Sequence, residues 1–183
     1  ENFSSLEEKC NEKLLLFKGT QALVYQLDDE IAAKCISAAH YDGKLLAWSE
    51  HDTTAAFFVD RIEKSDTAST VSYIWQHATH GSFTLPFIDE ASVSNCITCA
   101  VVALHFGILP DVLVQRMATL EPVAMRLEVK EGQHGCTLIN DSYNSDINSL
   151  DIALDFMNRR PDQNRRERTL ILSDIYQSGE TEQ

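Results

Sequence analysis

The run Thr137–Asp146 constrains the fold of this chain more than any other segment. Its first half is apolar and β-branched and predicts a strand. Consecutive hydrogen-bonding side chains follow, and a helical pattern begins at Asn148 or Ser149. Polar residues at the carboxyl end of a strand, in the turn to a helix, are where open α/β sheets bind ligands. An ordinary core strand with an Asx-rich turn would give the same pattern, so both interpretations stay open at this point.

Composition argues against two classes of partner. The 183 residues carry a formal net charge of −13, from 28 acidic and 15 basic side chains. Because binding to a nucleic-acid backbone requires clustered cations, we predict no nucleic-acid partner. The longest apolar stretch, Ala100–Leu104, is far too short for a bilayer, so we predict no membrane insertion. The chain opens at Glu1 with no Met and no secretory signal, which predicts a mature or trimmed piece of a cytoplasmic protein.

The cysteines and histidines give weak signals for a metal. Five cysteines, an odd number scattered among apolar residues, favour reduced buried thiols over a disulfide framework. Cys96 and Cys99 have metal or redox spacing, but they lie in the helical run Val93–Leu104, where core packing is the favoured interpretation. His77 and His80 flank a turn; a metal pair is one interpretation, and exposed turn histidines are the favoured one.

The first helix is predicted from Leu6 to Phe17, opened by a capping box of Ser5 with Glu8. At about 100° per residue Lys13 falls inside the apolar stripe of this helix. A lysine on a buried face loses hydration and tends to shed its proton or to find an anion. A stem that carries its ammonium to water past the apolar residues is the alternative. The stripe consists of Leu6, Cys10, Leu14 and Phe17.

Alternating strand and helix patterns fill the rest of the first 122 residues and predict a mixed sheet with helices. The later strands resemble hairpins at the edge of a sheet. The segment Glu121–Val123 is the predicted domain junction. The predicted strands are Ala22–Gln26, Lys44–Ser49, Ala55–Ile62, Thr70–Gln76 and Ser82–Phe87, and the predicted helices are 29–39, 92–106 and 110–119.

Beyond the junction the pattern predicts a parallel strand–helix–strand unit. Cys136–Asn140 pairs with an alternating strand at Arg126–Glu131, a helix follows at Ser149–Asn158, and a strand at Thr169–Leu172 runs into Asp174. A right-handed crossover would bring Asp141 and Asp174 to one edge of the sheet, which favours the ligand-site interpretation.

Three segments, Pro122–Val129, Ile139–Asn144 and Leu170–Asp174, resemble the Mur ligases. The resemblance implies an α/β fold: part of a central ATPase domain, followed by the start of a Rossmann-like C-terminal domain. The chain would hold residues 1–122 of the former and 123–183 of the latter. Gly43-Lys44 lacks the rest of a phosphate-loop motif, so that loop is expected upstream of Glu1, and the chain alone is expected to be inactive.

The Asp-Ser-Tyr-Asn motif at residues 141–144 resembles the branch of the family that adds D-alanyl-D-alanine to UDP-N-acetylmuramoyl-tripeptide. The resemblance implies ATP-dependent formation of the amide bond through an acyl phosphate, in peptidoglycan precursor synthesis. Segments 89–92 and 145–149 resemble the form fused to an alanine racemase. A related Mur or folylpolyglutamate-type ligase and a non-catalytic scaffold of a ligase–racemase fusion are the alternatives.

The resemblance also assigns site residues. Lys13 matches a lysine that these ligases carbamylate, and its carbamate would be an oxygen ligand for Mg²⁺ beside ATP. Arg126 and Asp141 match nucleotide contacts made when the domains close, with Tyr143 and Asn144 in the same loop. Asn95 matches the second Asn of a His-Asn-x-x-Asn helix start that contacts adenine. The chain departs from the family at Ala91-Ser92, where His-Asn is expected, and at Met125 and Ser173, where Gly is expected.

Overall fold

The chain divides into two compact units, Asn2–Leu120 and the residues from Glu121 onward. The computed structural model describes residues 3–121, 127–143, 147–159 and 167–172. The division lies beside the predicted junction, and the assignment of the two parts to a central and a C-terminal ligase domain stays a prediction. No helix in the described ranges has the length and hydropathy needed to cross a membrane.

A five-stranded mixed sheet organises the first unit. Its strands are β1 (Ala22–Gln26), β2 (Lys44–Ser49), β3 (Phe57–Lys64), β4 (Ser69–Trp75) and β5 (Thr79–Leu85), in the order β1-β2-β3-β4-β5. The first two pairings are parallel and the last two antiparallel. Helix α2 (Glu30–Ala38) supplies the crossover that parallel strands require. The predicted mixed sheet and its hairpins are confirmed, although β3 begins two residues later and β5 three residues earlier than predicted.

One face of this sheet and two helices form the core. Along β4 the buried side chains are Ser69, Val71, Tyr73 and Trp75, as the period of a half-buried strand requires. Helix α3 (Glu90–His105) packs on β1 and β2, and α4 (Pro110–Met117) packs on β5. All six residues predicted to form the apolar face of α3 are buried: Val93, Cys96, Ile97, Ala100, Val101 and Leu104.

Helix α1 (Leu6–Leu14) continues as a 3-10 turn over Leu15–Phe17, so the predicted span is confirmed. Ser5 Oγ accepts the Glu8 N–H at 3.1 Å, but the Glu8 carboxylate bonds to Ser4 instead of closing the box on Ser5. The predicted burial of the stripe around Lys13 is wrong, because α1 has no buried residue and Lys13 is exposed. Periodicity shows which side chains share a face. It does not show whether that face is covered, and the principal partner of α1 is α2.

The second unit contains a two-stranded antiparallel ribbon and a helix. Strand β6 (Glu128–Glu131) pairs with β7 (Thr137–Asn140), as predicted, and α5 spans Ile147–Arg159. The strand predicted at 169–172 is absent: residues 167–172 are described and have no strand assignment. An apolar triplet becomes a strand only when a neighbour satisfies its backbone, and within the described residues β6 and β7 pair only with each other. Asp174 lies outside the described residues.

Candidate functional site

A cavity of about 770 Å³ lies within the first unit, where the parallel strands end and α3 begins. Its volume is in the range of small-molecule pockets, and the carboxyl edge of parallel strands is the usual place for a ligand in an α/β sheet. Four separate segments converge on it. The lining consists of Gln26 from β1, Glu50 after β2, Ile62 and Lys64 from β3, and Glu90, Ala91, Val93, Ser94 and Ile97 from α3.

The lining is mixed in chemistry. Ile62 is the half-buried apolar member, whereas Val93 and Ile97 are only 3% and 0% exposed, and Gln26 and Ser94 provide hydrogen-bonding groups. The charged members are two glutamates and one lysine, so the lining carries a small net negative charge. Such a surface suits a planar apolar group that carries hydroxyls or amines better than it suits a triphosphate.

A set of hydrogen bonds centred on Asp28 and Ser49, called here the strap, fixes the segment that carries Glu50. Asp28, just after β1, accepts a bond from Ser49 Oγ at 2.6 Å and one from the Glu50 N–H at 2.8 Å. Ser49 Oγ in turn accepts the N–H groups of His51 at 3.0 Å and Asp52 at 2.8 Å. His51 Nδ1 lies 3.4 Å from Asp28 Oδ1. The two parallel strands are thus tied together at their carboxyl ends, beside the cavity.

The electrostatics of Asp28 follow from this strap. Burial alone would raise the pKa of the Asp28 carboxyl. The hydrogen bonds from Ser49, the Glu50 amide and His51 outweigh burial and bring that pKa below its usual range. The Asp28 side chain is only 18% exposed, so these hydrogen bonds stabilise a carboxylate that is largely shielded from solvent.

The predicted metal ligand Lys13 is not part of this cavity. It lies exposed in the last turn of α1 and is absent from the cavity lining. Mg²⁺ prefers several oxygen ligands in octahedral geometry. Within the described ranges no group of three or more His, Cys, Asp or Glu side chains could hold a metal. His77 and His80 therefore have no third ligand of these types there. The magnesium site at Lys13 therefore stays a prediction.

Helix α3 does not present Asn95 to the cavity. Asn95 is exposed in the second turn, whereas its neighbour Ser94 lines the cavity. Asp89 caps the helix by accepting the Ser92 N–H at 2.8 Å. The indole N–H of Trp48 donates a hydrogen bond to Thr98 Oγ1 at 3.0 Å, which fixes α3 to β2. These bonds fix the start of the helix at the cavity, and the adenine contact of Asn95 stays a prediction.

In the second unit Asp141 follows β7 at the predicted place. Its Oδ1 accepts the Leu127 N–H at 3.0 Å, and Leu127 has a left-handed φ of 46°. Helix α5 starts six residues later at Ile147, so Asp141 is not its cap. Tyr143 follows and is 56% exposed. Arg126 and Asn144 lie outside the described residues, so their predicted nucleotide contacts stay predictions.

Sequence reasoning missed the strap and most of the cavity lining. The available signal was the pair of polar runs Asp28-Asp29 and Ser49–Asp52, each directly after a strand. Parallel neighbours end at the same edge of a sheet, so these runs were expected to meet once the register of β1 and β2 was known. The polar run after β7 is longer and was therefore the predicted ligand site.

No family model matches the chain. In sequence the chain is similar to the UDP-N-acetylmuramoyl-tripeptide–D-alanyl-D-alanine ligase of Bacillus subtilis, at 26% identity over 102 residues. The match covers 56% of this chain and 22% of that protein. The chain thus spans about a fifth of the length of this curated relative.

Solved structures agree in fold. The MurF ligase of Thermotoga maritima, solved with ADP, gives a TM-score of 0.68 at 16% identity and covers 88% of this chain and 36% of that one. MurF from Acinetobacter baumannii gives 0.64 at 19%, covering 78% and 30%. Folylpolyglutamate synthetase from Lactobacillus casei gives 0.59 at 19%, covering 88% and 42%. Sequence similarity and shared fold lead to the same group, and the predicted resemblance of this chain to the Mur ligase family is confirmed in both.

Proposed function

We propose that this chain is part of an ATP-dependent ligase that adds D-alanyl-D-alanine to UDP-N-acetylmuramoyl-tripeptide. The observation that carries the proposal is the similarity to the Bacillus subtilis ligase over 102 residues. The fold shared with MurF structures supports it. Because the chain spans 22% of that relative, the activity is proposed for the protein that carries the chain. Its cytoplasmic location and its lack of a nucleic-acid partner stay predictions from composition.

The proposed reaction needs a phosphoryl transfer followed by an acyl transfer. The terminal carboxylate of the tripeptide attacks the γ-phosphorus of ATP, which forms an acyl phosphate and releases ADP. The amine of D-alanyl-D-alanine then attacks the acyl carbon, loses a proton, and expels phosphate from a tetrahedral intermediate. Positioning and charge neutralisation supply most of the catalysis in such transfers.

Within the first unit we propose the cavity as the place for the nucleoside part of ATP. Its apolar residues suit the faces of a base, and Glu50 suits the hydroxyls of a ribose. The slight negative charge of the lining disfavours the triphosphate there. The strap from Asp28 holds the Glu50 backbone in place and so preorganises this part of the lining.

A blocking substitution tests this placement. Ala91 is an exposed residue of the lining, and Ala91→Phe should fill part of the cavity. We expect the KM for ATP to rise about tenfold, equivalent to about 1.4 kcal/mol, with little change in the KM for D-alanyl-D-alanine. Val102→Phe on the same helix, outside the lining and 38% exposed, is the matched control. Equal KM values for ATP in both variants would reject the proposal that the cavity binds the nucleoside part of ATP.

Lys13 stays our proposed carbamate-bearing residue and Mg²⁺ ligand, although α1 does not give it the buried setting that favours a neutral amine. Mass spectrometry of the full-length protein in bicarbonate should show the carbamate on the peptide that contains Lys13. Lys13→Ala should abolish ligation, while Lys18→Ala, a change at a nearby exposed lysine, should not. Full ligation by Lys13→Ala would reject the assignment.

Arg126, Asp141, Tyr143, Asn144 and Asn95 stay proposed nucleotide contacts. Asp141→Asn tests Asp141. The substitution keeps a side-chain oxygen that can accept the Leu127 N–H and removes the negative charge. We expect a higher KM for ATP with an unchanged unfolding midpoint. A lowered midpoint with a normal KM would make Asp141 a purely structural residue.

A substrate panel on the full-length protein tests the function against its alternatives. ADP release that depends on both UDP-N-acetylmuramoyl-tripeptide and D-alanyl-D-alanine is the expected result. Release dependent on glutamate and a folate would favour the folylpolyglutamate type, whose fold this chain also shares. Alanine racemisation without any ATP-dependent ligation would favour the scaffold of a ligase–racemase fusion.

A further inference from the structure

Two thiols meet where α1 packs on α2. Cys10 lies on α1 and is half-buried, and Cys35 lies on α2 and is 5% exposed. Cys35 is close enough to Cys10 to raise the pKa of the Cys10 thiol. Cys35 Sγ also lies 3.9 Å from the carbonyl oxygen of Glu7, one turn before Cys10 on the same face of α1. This contact places the Cys35 sulfur against the Cys10 side of α1.

The other three cysteines differ in their surroundings. Cys96 is buried in the core between sheet and α3, and Cys99, one turn later, is exposed. Cys136 is exposed in the second unit, in the turn before β7. Among the described cysteines, Cys10 and Cys35 are the pair brought together from two different helices, α1 and α2.

We propose that Cys10 and Cys35 form a reversible disulfide that cross-links α1 to α2 in the presence of a low-molecular-weight disulfide. Cys10, the more accessible thiol, loses its proton and attacks one sulfur of the small disulfide, which releases one small thiolate. Cys35 then loses its proton and attacks the mixed disulfide at the Cys10 sulfur, which releases the second. Two protein thiols are oxidised, and one small disulfide is reduced to two thiols.

The bond would close residues 10–35 into a loop that contains β1. Cross-linking removes freedom from the unfolded chain and ties α1, which buries no side chain of its own, to the more buried α2. Burial, and then the contact with Cys35, raise the pKa of the Cys10 thiol, so attack is slow at neutral pH. The nearby charges are Asp29, which also raises this pKa, and Lys13, which lowers it. The inference does not depend on the proposed ligase activity.

Disulfide mapping on the full chain tests the proposal. The protein is equilibrated with graded ratios of oxidised to reduced glutathione, its free thiols are blocked, and it is digested with trypsin. The expected product is one linked pair, residues 10–13 joined to residues 35–44, with the loss of two titratable thiols per chain. Separate glutathione adducts on the two cysteines, thiols that stay reduced across the series, or a Cys96–Cys99 link would each overturn the proposal.

Amide exchange supplies a second readout. Oxidation should slow exchange in Leu6–Leu14 about tenfold, while amides of α4 stay unchanged. Cys136→Ser should behave as the parent does, and Cys35→Ser should lose both the link and the slowing. Equal slowing in the parent and in Cys35→Ser would contradict the cross-link.

Discussion

The Tyr73 hydroxyl is buried with no hydrogen-bond partner in the described residues. Its ring stacks on Phe57 at 4.7 Å between centroids, and burial raises the pKa of the phenol, so the proton stays on oxygen. An unpaired buried hydroxyl destabilises by about 1–3 kcal/mol. We therefore expect Tyr73→Phe to raise the free energy of unfolding by about 1 kcal/mol in urea titrations.

Tyr41→Phe is the matched control, because the Tyr41 hydroxyl donates to the Thr20 carbonyl at 2.7 Å. This control should lower the free energy of unfolding by about 1 kcal/mol. A loss of stability in both variants would mean that the Tyr73 hydroxyl is satisfied in solution.

Gly81 is required by the close approach of the Tyr73 ring. The two residues are opposite each other in the β4–β5 pair, and a Cβ on Gly81 would lie 2.5 Å from the Tyr73 hydroxyl oxygen and 2.6 Å from Cζ. Because both ring and strand are held in the core, Gly81→Ala should destabilise by about 1–3 kcal/mol. Thermal unfolding measures this, with Ser82→Ala, an exposed change on the same strand, as control. Equal midpoints for both variants would show that the ring moves aside.

At the scale of elements, Asp28 joins the end of β1 to the segment after β2. The lowered pKa of Asp28 means that its contribution to stability is complete above about pH 4, the usual value for an unfolded aspartate, and is lost as pH falls through the lower folded value. Asp28→Asn should cost about 1–2 kcal/mol at neutral pH and flatten the pH dependence below about pH 4.

Urea midpoints measured from neutral to acid pH check this prediction. Asp60→Asn is the control, since Asp60 is an exposed aspartate on β3. An unchanged urea midpoint of Asp28→Asn at neutral pH would contradict a stabilising role for the Asp28 hydrogen bonds. So would an equal flattening, in Asp60→Asn, of the dependence of the midpoint on pH in acid.

Elements of the first unit could be predicted from sequence because local pattern and tertiary burial agree there. The six apolar residues of α3 have helical spacing and all enter the core. The strand at 169–172 could not be predicted correctly, because a short apolar run reports hydrophobicity and not the presence of a pairing partner. The same limit applies to α1. The spacing of its apolar residues predicts a shared face around Lys13, but it does not show whether that face is buried, and no residue of α1 is buried.

The candidate site was less predictable than the elements. The Asp28–Ser49 bond joins residues 21 positions apart, and it exists only because β1 and β2 are parallel neighbours in one register. The cavity needs four segments whose meeting no local spacing encodes. The family resemblance supplied candidate residues, and of these Asp141 and Tyr143 are described after β7, as expected.

At the scale of the whole molecule, burial is unequal between the two units. Every buried hydrophobic side chain in the described ranges lies between Leu23 and Met117, whereas Val129 and Leu138 of the β6–β7 ribbon are 39% and 50% exposed. Since buried apolar area sets most of the opening free energy, the two units should not exchange amide hydrogens alike.

Native-state hydrogen exchange tests this difference. Amides of β3, β4 and α3 should exchange only through global opening, with protection that falls as urea is added. Amides of β6 and β7 should exchange through smaller openings that urea hardly affects, because these expose little new surface. Normalising each rate by its unstructured value removes the effect of sequence. Protection of β6 and β7 equal to that of β4 would require that the ribbon be covered in solution by apolar contacts outside the described residues.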